Sequence, residues 1–354
     1  MDAPFGCIGS RIHPVSIPFF YSAVHQEHAP AFELESGRIQ PYAEQPQRAE
    51  ILRERLLQSG QGVPAAPCPP AGLDALKAVH TPALLHYLAH RAEYLAPDQE
   101  YAYPEIFAVR PDLASLSINP RAADGYYCFD IYSPIGRGTW QAACASAGLA
   151  LAAARQVRSG APGAYALCRP PGHHAGPDSI GGYCYLNNAA LAALELLPLG
   201  RVALLDIDYH HGNGTQTIFW DDPRVLFASL HGDPDFEYPY TLGRASETGG
   251  SRARDLTFNL PLPAGTRGAV YLAALEQILR RIEAFAPAAL VVSLGLDTVA
   301  GDPSGTFALH VSEYRKIGQQ IAALHLPTVL VQEGGYAFTL LADQIEQFFN
   351  GFLG

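Results

Sequence analysis

Short apolar runs rich in β-branched residues recur through the second half of the chain. They are AYALC (164–168), RVALLDID (201–208), RVLFASL (224–230), ALVVSLG (289–295) and PTVLVQEGG (327–335). Stretches with helical spacing separate several of them, at 188–197, 269–285 and 312–324. Continuously apolar strands that alternate with helices predict an α/β fold with a parallel sheet covered on both faces. Upstream, 45–58 reads as a helix with Ile51, Leu52, Leu56 and Leu57 on one side. Residues 60–73 form a Pro/Gly-rich connector, and a second helix is expected over 81–94. The stretch 96–138, rich in Pro, Gly, Asp and Tyr, reads as a long irregular segment, and long loops in compact enzymes are usually functional. Residues 139–158 predict an alanine-rich helix with Thr139 as its N-cap. Residues 1–15 lack periodicity and read as an extension or an edge strand.

The polar residues gather where these apolar runs end. RPPGHHAG follows Cys168, DIDYHHGNG follows Leu205, GLDTVAGDP follows Leu294, and QEGGY follows Val331. Ligands of open parallel sheets bind beyond the carboxyl ends of the strands. Alternate side chains at a strand end share a direction, so Asp208 and His210 can approach one metal together, and Asp206 lies one step deeper. A buried carboxylate there needs a cation or several donors. Asp297, from another strand end, supplies a third ligand. Two carboxylates and one imidazole with an open position make a catalytic zinc site. The His173-His174 pair, led in by two prolines, offers an imidazole that can act first as base and then as acid. Tyr336, after Gly334-Gly335, places a phenol where it could donate to a developing oxyanion.

Bulk properties narrow the alternatives. The 354 residues suffice for one large domain or two small ones, and 48% hydrophobic against 16% charged residues supports a sizeable core. A formal net charge of -11 argues against nucleic-acid binding. Positive charge is carried almost entirely by arginine, with lysine only at Lys77 and Lys316. The six cysteines form no CxxC pair, so neither a disulfide framework nor a Cys-rich metal site is expected. No segment approaches the roughly 20 apolar residues of a membrane span. Without a signal-like start either, the cytoplasm is the expected location.

Taken together, RPPGHHAG, GGYCYLNNAALAA, LLDIDYHHGNGTQTIF, FASLHGDP, SLGLDTVAGDP and EGGY, in that order over about 120–350, resemble the histone deacetylase superfamily. PQRAEIL (46–52) and HTPALLHYL (80–88) are similar too. The resemblance implies the arginase/deacetylase fold, a three-layer α/β sandwich around a central, mostly parallel eight-stranded sheet. It implies one deacetylase domain over 1–354, with a long first loop at 22–50 and an active-site loop region at 96–138. Within the superfamily, GYYC (125–128), GTW (138–140), ASLHGDP and SETG (246–249) resemble bacterial acetylpolyamine amidohydrolases. That likeness implies a small acetylated amine as substrate, and a homodimer whose loop narrows the mouth of the site.

Carried over residue by residue, it implies zinc on Asp208, His210 and Asp297, and His174 as base and acid oriented by Asn213. His173 would face Asp206, and Tyr336 would polarise the acetyl carbonyl. Tyr183 and Tyr238 would wall a substrate tunnel, with Gly182 offering a backbone carbonyl. Structural potassium would sit at Asp206, Asp208, His210, Ser229 and Leu230, and a second ion at Phe219, Asp222 and Val225. At the mouth the pattern departs: Tyr132 and Arg121 stand where polyamine deacetylases carry acids. Asp124, Asp130, Glu237 and Glu35 are candidates to compensate. Two other functions share the fold class: an N-acetyl-lysine deacetylase, and a binuclear manganese ureohydrolase, which would need aspartates where His211 and Asn213 stand. A scaffold protein that has lost its chemistry is the third alternative, and the filled catalytic positions speak against it.

Overall fold

The structure is a computed structural model and describes residues 16–108 and 119–354. Among the described residues twelve strands follow in chain order: β1 (Ile17–Phe20), β2 (Phe32–Glu35), β3 (Arg38–Pro41), β4 (Gly62–Pro64), β5 (Tyr101–Ala102), β6 (Ile135–Gly136), β7 (Gly163–Ala166), β8 (Val202–Asp206), β9 (Val225–Gly232), β10 (Thr257–Leu262), β11 (Ala289–Leu294) and β12 (Thr328–Gln332). Eight of them form one sheet in the order β10-β9-β8-β11-β12-β7-β1-β4. Every pairing in that sheet is parallel. Strands β7, β8, β9, β11 and β12 are buried along their whole length. This is the continuous apolar signature of strands covered on both faces.

Two apolar clusters cover the two faces. One packs the alanine-rich helix Thr139–Arg158 and the helix Asn188–Leu196 against Val202, Leu204, Val291 and Val329. The other packs the helices Gly268–Phe285, Glu313–Ala322 and Phe338–Phe352 against Leu205, Val292 and Leu330. Small alanines on the first face let its helices lie close to the sheet.

Several local expectations need correction. Thr139 does not cap its helix. Its hydroxyl accepts from the Gly136 N–H and contacts His28 Nδ1, which fixes the turn ahead of the helix instead. The stretch 96–138 is not wholly irregular, because Pro120–Tyr127 is a helix capped by Asn119, and β5 pairs with β6. The first loop, 22–50, carries a 3-10 turn at Ala23–Glu27 and the antiparallel hairpin β2–β3. Strands β1, β4 and β10 and the helix Phe338–Phe352 were not anticipated. The 1–15 segment lies outside the described residues. Among the described residues the cysteines are free thiols, and no helix is long and apolar enough to cross a membrane.

Candidate active site

A cavity of about 400 Å³ opens beyond the carboxyl ends of the strands. His173, His174, Gly182, Tyr183, His210, Tyr238, Gly334 and Tyr336 line it. At its floor, one ligand atom each from Asp208, His210 and Asp297 lie within 4.8 Å of one another. Asp208 and His210 leave the end of β8, and Asp297 follows β11, its neighbour in the sheet. Adjacent parallel strands ending at the same level thus bring the three donors together.

The backbone holds these donors in place. Asp208 accepts from the Gly334 N–H (2.8 Å) and the His210 N–H (3.0 Å). Asp297 Oδ1 accepts from the Tyr209 N–H at 2.8 Å. Its other oxygen, Oδ2, is buried with no hydrogen-bond partner and lies 3.3 Å from His210 Nδ1. A buried carboxylate oxygen left this way calls for a cation. Gly334 leaves room for one, since a Cβ there would stand 2.5 Å from Asp297 Oδ2 and 2.7 Å from Asp208 Oδ2. Burial opposes charge on His210, but its contacts with Asp208 and Asp297 prevail and push its pKa up to about 10. Burial and the nearby Asp208 charge push Asp297 up. The site therefore concentrates negative charge that a proton or a divalent ion can neutralise. Two O donors and one N donor suit zinc.

Next to this floor the two histidines differ. His173 Nδ1 donates to Asp206 Oδ2 at 3.0 Å. Against the cost of burial, Asp208 and Asp206 raise its pKa to about 10. His174 Nδ1 donates to Asn213 Oδ1 at 2.7 Å. Burial, followed by the charges of His173 and His210, holds His174 well below the usual imidazole range. With Nδ1 committed to Asn213, its free base position is Nε2. Two adjacent imidazoles are thus driven to different charge states, one by the aspartates Asp208 and Asp206, the other by burial and the neighbouring His173 and His210 charges.

Tyr336 is a buried phenol whose pKa burial raises well above its ordinary value, so it remains a donor. The Arg48 guanidinium lies 4.6 Å over its ring and donates to the carbonyls of Gly335 and Glu333. Asp302 accepts from the N–H groups of Tyr336 (2.7 Å) and Ala337 (2.9 Å). Neither Arg48 nor Asp302 was assigned a role from sequence. Arg48 had one signal, a charged residue four positions before Leu52 on the apolar face of its helix. Glu333 lies below, accepting from the Gly172 and His173 N–H groups, with burial raising its pKa to about 7.

The expected potassium residues fall in two places. Asp206 Oδ1 accepts from the Asp208 N–H, Asp206 pairs in register with Ser229, and the Ser229 hydroxyl contacts His231 Nδ1. Leu230 follows on the buried strand β9. Phe219, Asp222 and Val225 are linked through successive backbone hydrogen bonds at the turn into β9. His211 turns toward Gln216, and Asn213 toward His174, so neither adds a carboxylate for a second catalytic metal.

The mouth differs from the expectation. Arg121 is exposed and faces Glu105 at 3.7 Å, and it is absent from the cavity lining. Asp124 does not compensate, because it is buried in a bidentate pair with Arg91. Asp130 is committed to the Gly182 and Tyr132 N–H groups and the Tyr238 hydroxyl. Glu35 and Glu237 do line the cavity, as does Tyr132, whose hydroxyl reaches Glu35 at 3.4 Å. Glu33 is a further acid at the mouth, beyond those expected from the sequence. It is buried, lines the cavity, and accepts from the Tyr183 hydroxyl at 2.9 Å. A signal existed: FELE alternates, yet Glu33 is the buried position while Phe32 and Leu34 are exposed.

The sequence profile of the histone deacetylase domain matches residues 42–352. The chain belongs to the histone deacetylase family. Among family members it is 42% identical to acetylpolyamine amidohydrolase 2 of Pseudomonas aeruginosa, covering 94% of this chain and 98% of that one. It is 39% identical to the acetylpolyamine amidohydrolase of Mycoplana ramosa, over 94% and 99%. The crystal structure of acetylpolyamine aminohydrolase from Burkholderia pseudomallei superposes with a TM-score of 0.90 at 38% identity, covering 95% of this chain and 98% of that one. The three-layer arrangement around a parallel eight-stranded sheet is therefore the fold of the deacetylase family.

Proposed function

We propose that this chain is a metal-dependent amidohydrolase that removes the acetyl group from N-acetylated polyamines and similar short amines, releasing acetate. The observation that carries the chemistry is the convergence of Asp208, His210, Asp297, His174 and Tyr336 at the floor of one cavity. The substrate class rests on the acetylpolyamine amidohydrolases at 39% and 42% identity over nearly the whole chain. Carboxylates of Glu33, Glu35 and Glu237 around the cavity support a cationic substrate.

Asp208, His210 and Asp297 would hold one zinc ion, which when bound supplies Lewis-acid polarisation of water and carbonyl. His174 Nε2 takes the proton of the attacking water. Tyr336 donates its hydroxyl to the acetyl oxygen as that atom gains negative charge. His174, now protonated, gives its proton to the amine nitrogen as the C–N bond breaks. Asn213 keeps His174 in the required tautomer, and the cationic His173 stays on Asp206 outside the proton transfer. Tyr183, Tyr238 and Gly182 wall the passage for a slender alkyl chain, with Tyr132 and Glu35 at its outer end. Potassium beside the Asp206–Ser229 strand pair, and again at Phe219, Asp222 and Val225, would brace the floor. A homodimer fits the apolar residues that the hairpin exposes, such as Ile39 and Leu34.

The test is turnover of N-acetylputrescine against an Nε-acetyl-lysine peptide by the purified protein. Higher kcat/KM for acetylputrescine is expected. Higher kcat/KM for the peptide would replace the polyamine reading with a protein deacetylase.

A further inference from the structure

Each of the two tyrosines that wall the cavity has its phenol bonded to a carboxylate. Tyr183 donates to Glu33, and Tyr238 donates to Asp130 Oδ2 at 2.5 Å. Asp130 does more than hold one phenol. The same Oδ2 accepts from the Gly182 N–H at 2.8 Å, and Oδ1 accepts from the Tyr132 N–H at 2.9 Å. Three separate pieces of the wall therefore meet on one side chain: the 182–183 turn, the 130–132 turn and the ring of Tyr238. Charge-assisted hydrogen bonds of this kind are short and about twice as strong as neutral ones.

That turn needs support. Gly182 and Tyr183 are both left-handed, with φ of 53° and 68°. For tyrosine this is an unfavourable conformation that persists only where the surroundings impose it. Gly182 also lies hard against His174 and the Tyr238 hydroxyl, since a Cβ there would meet the His174 ring and stand 2.9 Å from Tyr238 Oη. The Tyr238 ring in turn meets the His174 ring edge-on at 5.0 Å and the His210 ring at 5.7 Å. A shift of the Tyr238 ring would therefore change the width of the passage above the base.

We propose that Asp130 is a positioning residue that sets the bore of the substrate passage, by tying the Tyr238 phenol to the Gly182 backbone. It does not line the cavity itself. The inference rests on the reading of this cavity as the passage for the acetylated amine. It assigns the tunnel's selectivity for slender chains to a group behind the wall.

The experiment compares wild type, Tyr238→Phe, Asp130→Asn and the double variant on two substrates. One is N-acetylputrescine, and the other is its analogue with a methyl branch on the carbon chain. Tyr238→Phe keeps the ring and removes only the tether. The expected result is a rise of about tenfold in KM for acetylputrescine, the worth of one charge-assisted hydrogen bond, with kcat little changed. Discrimination against the branched analogue falls in the same variants. The double variant is no worse than the more damaged single one, because both remove the same tether. Additive effects, or a Tyr238→Phe enzyme with wild-type KM and unchanged discrimination, would overturn the proposal. Should Asp130→Asn fail to fold, Tyr238→Phe alone still decides through its KM and its discrimination. A wild type that works only on the acetyl-lysine peptide refutes the polyamine reading, and the same comparison then runs on linear and branched acyl-lysine peptides.

Discussion

The floor and the mouth of the cavity are built by different means. At the floor, Asp208, His210 and Asp297 leave the ends of buried neighbouring strands and are held by backbone N–H groups. At the mouth, side chains from segments far apart in sequence hold one another: Tyr132 donates to Glu35, Tyr183 to Glu33 and Tyr238 to Asp130. The sheet fixes the floor, so the chemistry tolerates little variation. The mouth is a set of tyrosine–carboxylate pairs, and its charge can move between loops. In this chain the position expected to carry an acid is Tyr132, and the carboxylate it contacts is Glu35 on the hairpin. A second cavity, of about 430 Å³, lies at the amino ends of β1, β7 and β12, among Pro162, Leu326 and Phe352. It is as large as the candidate active-site cavity but has no cluster of buried ligand atoms among the described residues. Converging buried donors distinguish the two cavities; volume does not.

This contrast can be broken at several points. The largest effect is expected at the floor: His174→Ala should lower kcat by about 10²–10⁴, with metal content unchanged. Loss of metal from that variant would mean that His174 supports the ligand set instead of moving protons. Tyr336→Phe should cost about 10²–10³ in kcat with little change in KM. An equal loss confined to KM would make Tyr336 a binding residue only.

Mouth variants should behave differently. Glu33→Gln and Glu35→Gln together should lower kcat/KM for acetylputrescine about tenfold and leave the uncharged N-acetylbutylamine unaffected. Equal losses on both substrates would show that these residues hold the wall without recognising charge. Arg121→Glu should change kcat/KM less than about twofold, as exposed pairs contribute little.

A smaller effect concerns the stability of the floor. His80 is buried beneath the histidine loop, where Nδ1 donates to the Gly176 carbonyl and Nε2 accepts from the Asn187 N–H. Burial lowers its pKa from 6.5 to about 4. Between these values the unfolded chain binds the proton and the folded one does not. The stabilising contribution is therefore full above about pH 6.5 and declines as pH falls toward 4. The melting temperature should fall over that window, and less steeply in His80→Gln. Equal slopes would assign the acid sensitivity to other groups.

The same division explains what was legible in the sequence. Strands β7, β8, β9, β11 and β12 are continuous apolar runs, and each floor residue sits in a short motif directly after one. Strands β4 and β10 escaped because Pro64 and Pro261 interrupt their patterns, and both are edge strands, where proline is tolerated. The helix Pro120–Tyr127 was hidden in a polar, Gly- and Tyr-rich stretch, its start marked only by Asn119-Pro120. Glu33 was hidden by an inverted alternation, in which the charged residue faces inward because Tyr183, Gln40 and Ala43 supply its donors. The spacing from Gly125 puts Arg121 near the mouth, but its helix turns it outward to Glu105.

The most direct test of the central claim is a metal titration of the chelated protein, read by acetate release from N-acetylputrescine. Chelation should abolish activity, and one equivalent of zinc per chain should restore it, with Asp297→Asn failing to recover at that equivalence. Full activity in the metal-free protein, or a requirement for two metal ions per chain, would contradict the three-ligand mononuclear site.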